Sequence, residues 1–164
     1  MDTNGAVVLP EQASVWNMDP ERIATFRLMS EQTGDRVSIF EELIPKGTET
    51  ALHLHHGSDE AMCVLSGEFA FKIGESVTRG GVGTWAFMPK EVAHAWKNVT
   101  DGTARALFMF TPANAGKLFE ELRRRQLPFL KADPAILSPL LRQYGWEVLG
   151  LRRCTNLRHV AAHS

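Results

Sequence analysis

Short apolar segments separated by turn residues run from Ile23 to Phe110, the pattern of an all-β sandwich or barrel. Thr33-Gly34-Asp35 separates ATFRLMSEQ from RVSIFEELI and predicts a hairpin, and Pro45-Lys46-Gly47 ends the second strand. ALHLHH, AMCVLSGEFAFKIG, a Gly80-Gly81 turn, GTWAFMP, HAWKNVT and ARALFMFT follow in the same rhythm. After Thr111-Pro112 the period changes, because Leu118, Phe119 and Leu122 fall at helical spacing. Asp133-Pro134 predicts a second helix, with Asp133 as cap and Pro134 in the first turn. Ile136, Leu137, Leu140 and Leu141 give it an apolar face, and Gly145 a stop. The expected organisation is an N-terminal arm with short strands over 1–22, a β-barrel over 23–112, and a short C-terminal helical extension and tail over 113–164.

Composition narrows the class without altering that layout. A chain of 164 residues suits one domain with a single core. A hydrophobic fraction of 44% and a charged fraction of 23% are ordinary for globular proteins, which removes disordered and collagen-like classes. A net charge of −1 offers no basic surface for nucleic acid. Cys63 and Cys154 stand far apart and outside any paired motif, so two reduced thiols are expected rather than a zinc ribbon or disulfide framework. The start of the chain lacks the basic and apolar regions of a signal peptide, and no stretch approaches the roughly 20 apolar residues of a membrane span. A soluble, cytoplasmic protein is the expectation. Arg123 to Arg125 read as a solvated helix face, and the basic tail from Gly150 as a frayed end.

Candidate chemistry concentrates in HLHHGSDE, residues 53–60, which holds three of the six histidines. On a strand His53 and His55 share one face and His56 points to the other, so the i, i+2 pair is a bidentate metal grip and His56 is left for the surface. Gly57-Ser58 turns the chain, and Glu60 can return a carboxylate to the two imidazoles. Two histidines and a carboxylate with open positions form a facial metal site. His94 alone would read as a core histidine. Its setting raises it: Gly83, Pro89 and Asn98 frame it at fixed spacing.

Gly47, His53, His55, Glu60 and Gly67 stand in the spacing G-x5-H-x-H-x4-E-x6-G, and Gly83, Pro89, His94 and Asn98 in G-x5-P-x-G-x2-H-x3-N. These motifs resemble those of the cupin superfamily, with Glu91 standing where the second pattern has glycine. The flanks RVSIFEELIPKG, ALFMFTPANAGKLFEEL and ADPAILSPLLRQYGWEVLG are similar to small single-domain bacterial cupins described as quercetin-dioxygenase-like. The resemblance implies a jelly-roll β-barrel with one divalent transition metal held by His53, His55, Glu60 and His94. Three imidazoles and a carboxylate suit Fe, Mn, Ni, Cu or Zn. Asn98 is expected to be a turn residue or to stand behind the ligands.

The expected activity is a metal-dependent dioxygenase acting with O2 on a small aromatic or enolic, quercetin-like compound, with Glu60 also serving as general base. A non-redox isomerase or lyase, and a binding or sensing protein without turnover, are the alternatives. Strand parity turns Met62, Val64 and Trp96 inward and Cys63 outward; Trp85 and Phe87 share a face that parity does not identify. With Phe71 and Phe108 the interior is expected to be aromatic and poor in Lys and Arg, which argues against phosphorylated substrates. By analogy the barrel pairs as a homodimer through its N-terminal strand.

Overall fold

A computed structural model of the chain describes residues 5–19, 21–129 and 131–150. In chain order the strands and helices are β1 (Ser14–Asp19), β2 (Arg22–Leu28), α1 (Ser30–Thr33), β3 (Ser38–Ile44), β4 (His53–His55), β5 (Asp59–Ser66) and β6 (Phe69–Ile73). Then come β7 (Ser76–Gly80), β8 (Trp85–Met88), β9 (His94–Asn98), β10 (Ala104–Thr111), α2 (Lys117–Arg124), α3 (Pro134–Gln143) and β11 (Trp146–Val148). Two antiparallel sheets form, ordered β1-β2-β3-β10-β5-β8 and β11-β4-β9-β6-β7. Strands consecutive in sequence repeatedly change sheet, so the fold is an all-β jelly roll with small helical parts. Among the described residues no helix is long and apolar enough to cross a membrane.

Alternation builds the core. In β3, Ser38, Phe40, Glu42 and Ile44 are buried while the residues between them are more exposed, and β10 repeats this with Ala104, Ala106, Phe108 and Phe110. Phe40 lies at the centre, its ring centroid 5.6 Å from Phe26, 5.2 Å from Phe108 and 4.9 Å from Phe119. Met62, Val64 and Trp96 are buried as parity requires. Trp85 and Phe87 face out, and the small Ala86 and the flexible Met88 fill the inner side of β8. Cys63 sits on that outer face yet is only 8% exposed. Cys154 and the basic tail from residue 151 lie outside the described residues.

The Thr33-Gly34-Asp35 hairpin joins β2 to β3 as expected, with the single turn of α1 inserted and Gly34 in the left-handed conformation. The stretch read as an arm contains β1, which pairs with β2, and the stretch read as a helical extension contains β11, which pairs antiparallel with β4. Helix α2 sends Leu118, Phe119 and Leu122 into the barrel end. Arg124 and Arg125 form surface ion pairs with Glu121, whereas Arg123 departs from the solvated-face expectation, lying 5.7 Å over the Phe26 ring. Asp133 caps α3 by accepting from the amide of Ala135 at 2.8 Å.

Candidate metal centre

The two sheets bring four chemically capable side chains to one point. His53 and His55 project from the same face of the three-residue strand β4. His94 opens β9, whose pairing sets His94 directly opposite His53. Glu60 reaches the cluster from the other sheet, because the buried Ser58 fixes the intervening turn: its hydroxyl donates to the Pro112 carbonyl at 2.7 Å and accepts from the Ala115 amide at 3.0 Å. All four residues are buried, and their candidate donor atoms lie within 4.8 Å of one another.

Each histidine is oriented differently. The Nδ1–H of His53 donates to the Ala51 carbonyl at 2.8 Å and that of His94 to the Val92 carbonyl at 2.9 Å, so both turn Nε2 towards the cluster. Glu60 Oε2 accepts from His55 Nε2 at 2.9 Å and from His94 Nε2 at 3.2 Å. Adjacent donors around an ion at ~2.1 Å lie roughly 3 Å apart, so these spacings already suit coordination. His55 Nδ1 is buried with no hydrogen-bond partner among the described residues. Three imidazoles and a carboxylate at these spacings fit a divalent transition ion, whose identity the donor set leaves open.

Electrostatics favour the same occupant. Burial, reinforced by His94 and His55, pulls His53 down to about 3, so it stays a neutral imidazole at physiological pH. Burial pushes the Glu60 carboxyl up, but hydrogen bonds from His55 and His94 hold it well below the usual carboxylate range. Burial depresses His94, and its bond to Glu60 outweighs this and raises it. The ionised Glu60 and the neutral His53 are in the state that a cation requires, and a bound ion would take the place of the proton that Glu60 favours on His94.

Sequence reasoning missed Trp146. Its ring stacks on His53 with centroids 4.9 Å apart and planes 10° apart, meets His55 edge-on at 4.2 Å, and its Nε1–H donates to the Ala115 carbonyl at 3.0 Å. Asn98 is not a ligand: its Nδ2 donates to the carbonyls of Ile44, Pro45 and Gly102, holding the turns at the ends of β3 and β9. His56 faces away as alternation demands. Its Nδ1 lies 3.0 Å from Glu91 Oε2 and its Nε2 3.0 Å from Glu147 Oε2. Glu91 has φ +64°, the left-handed conformation for which the motif prefers glycine, and its carboxylate makes the His56 contact that glycine lacks.

Two of the four side chains, His53 and Glu60, line a cavity of about 200 Å³. Seven aromatic residues line it, drawn from β3, β9, β10, the C-terminal helical region and β11. Phe108 and Trp96 belong to that lining as expected, whereas Phe71, Trp85 and Phe87 do not. The wall also carries Arg22, which the expectation of few cationic residues overlooked; Glu42 is its partner, so the cavity gains no net positive charge from the pair.

Residues 40–110 match the family model described as "Cupin domain". Among solved structures the chain is similar to KdgF from Halomonas sp., at 14% identity over 66% of this chain and 94% of that one, with a TM-score of 0.58. It is also similar to an RmlC-like cupin from Shewanella frigidimarina, at 18% identity over 69% and 96% of the two chains, TM-score 0.58. The polyketide cyclase RemF from Streptomyces resistomycificus shares 17% identity over 65% and 79%, TM-score 0.53. At such identities the common property is the fold. No curated protein matches the sequence.

Proposed function

We propose that this chain, whose residues 40–110 match the cupin domain, is a metal-dependent dioxygenase acting with O2 on a small chelating aromatic or enolic compound. The observation that carries the reading is that His53 and Glu60 line a cavity walled by seven aromatic rings. A cavity of about 150 Å³ accepts benzene, so about 200 Å³ suits a substituted single ring better than a three-ring flavonol.

A divalent ion held by His53, His55, Glu60 and His94 supplies Lewis acidity to a chelating hydroxyl and, when redox-active, a path for electrons to O2. The protein's own groups do the rest. Glu60, ionised and hydrogen-bonded by two imidazoles, accepts the hydroxyl proton of an arriving substrate. The aromatic walls hold the ring flat and keep water out. Both atoms of O2 enter the product, so no external reductant is consumed.

The test is metal analysis with oxygen uptake, using catechols as probes, on the wild type and on His53→Ala and His94→Ala. Uptake that requires metal and disappears in both variants supports the reading. Uptake surviving in metal-free variants overturns it. Turnover under strict anaerobiosis would favour a non-redox isomerase or lyase, and probes recovered unchanged in air a binding protein.

A further inference from the structure

The cavity has a second polar feature away from the histidines. Arg22 on β2 and Glu42 on β3 are 4% and 1% exposed, and Arg22 donates through Nε to Glu42 Oε1 and through Nη2 to Oε2, the latter at 3.2 Å. The guanidinium lies 5.6 Å from the Trp96 ring centroid and 5.8 Å from that of Phe129. Glu42 is level with Ala106 of β10 and Glu60 with Phe110, a separation of four residues, or roughly 13 Å along the sheet. All of these side chains except Ala106 line the one cavity, which therefore runs from the histidine cluster past Phe108 to the ion pair.

Stability does not by itself call for such a pair, because apolar replacements of buried ion pairs are often neutral or stabilising. Nor does it offer an anion site, since the Arg22 charge is matched by Glu42, with the buried Asp19 close enough to add negative charge. What it offers is an acceptor. The two carboxylate oxygens of Glu42 have about four lone-pair directions, of which Arg22 uses two. We propose that Arg22–Glu42 is a second binding pole of the cavity, selecting chelating aromatic compounds that carry a neutral hydroxyl at the end opposite the metal-binding oxygens. The inference rests on the reading of this cavity as a chelating-aromatic site.

Three catechols of similar length test it: 4-(2-hydroxyethyl)catechol, 4-propylcatechol and 3,4-dihydroxyphenylacetate. Binding to zinc-loaded protein under argon is followed by tryptophan fluorescence, since Trp96 and Trp146 line the cavity, and by calorimetry. The wild type is expected to bind the hydroxyethyl compound about tenfold more tightly than the propyl one, as a hydrogen bond to a charged group implies, and the carboxylate more weakly than the hydroxyl. In Arg22→Met/Glu42→Leu the hydroxyl preference should collapse to within about threefold. A carboxylate bound best by the wild type, a flat wild-type ranking, or an unchanged ranking in the variant overturns the pole. The wild-type ranking decides even if the double variant fails to fold. Should the propyl compound bind while the ranking is flat, the chelating-aromatic reading survives without the pole; if none of the three binds, that reading falls and the pole with it.

Discussion

Replacing Trp146 by Phe removes one hydrogen bond and shrinks one ring behind the candidate metal centre. The Nε1–H of Trp146 shares the Ala115 carbonyl with the Leu118 amide, and Trp146 and Ala115 are both buried, so the variant loses one hydrogen bond without stranding the acceptor, at a cost of about 0.5–1.5 kcal/mol. The smaller ring forfeits roughly 1 kcal/mol more in transfer and cavity terms. The sum, about 1.5–2.5 kcal/mol, is a sizeable share of the 5–15 kcal/mol typical of a folded domain. For a chain of this size it lowers Tm by roughly 3–10 °C. Urea and thermal unfolding of chelator-treated protein measure this without any contribution from bound metal. Zinc affinity separates packing from orientation. Phe keeps a ring against His53, so affinity should fall only a few-fold, whereas Trp146→Ala removes the stack and should cost about tenfold or more. Stability within ~0.5 kcal/mol of wild type for Trp146→Phe, or equal zinc losses in the two variants, would refute the role assigned to β11.

Two motif glycines should respond unequally to alanine. Both have positive φ, but a Cβ at Gly67 would come 2.5 Å from Thr100 Oγ1 and 2.7 Å from Ala104 Cβ, whereas at Gly47 it meets nothing within 4 Å. Denaturant unfolding should therefore show about 1 kcal/mol lost in Gly47→Ala and about 2–4 kcal/mol in Gly67→Ala. Asn98→Ala abandons three carbonyls and the Thr100 amide, and should cost about 2–4 kcal/mol in the same assay. Glu121 gives a pH signature, since hydrogen bonds from Arg124, then Arg125, lower its carboxyl to about 2. Its folded value lies below its unfolded one, so the stabilisation is present above about pH 4.5 and lost as pH falls towards about 2. The Tm difference between wild type and Glu121→Gln, worth under ~1 kcal/mol for a surface pair, should shrink across that window.

What the sequence revealed and what it hid divide along one physical line. His53, His55 and Glu60 were legible because strand alternation and a short turn bring them together within eight residues, and local geometry is written locally. His94 depends on the pairing of β9 with β4, and only its motif frame betrayed it. Trp146 had no such signal: three residues after a helix stop carry no period, and their strand exists because β4 has a free edge to pair with. Arg22 and Glu42 carry no motif signal, and it is the β2–β3 register that turns both inward. Trp85 and Phe87, whose face parity left open, point outward while Ala86 and Met88 fill the core side. The half of the cavity that would coordinate metal is thus short-range and readable. The half that would recognise a substrate is assembled from β2, β3, the C-terminal helical region and β11, elements distant in sequence whose meeting no single stretch encodes. That is why the motifs point to a metal and stop short of a substrate, and why variants of Arg22, Glu42 and Trp146 carry more information about function than further variants of the histidines.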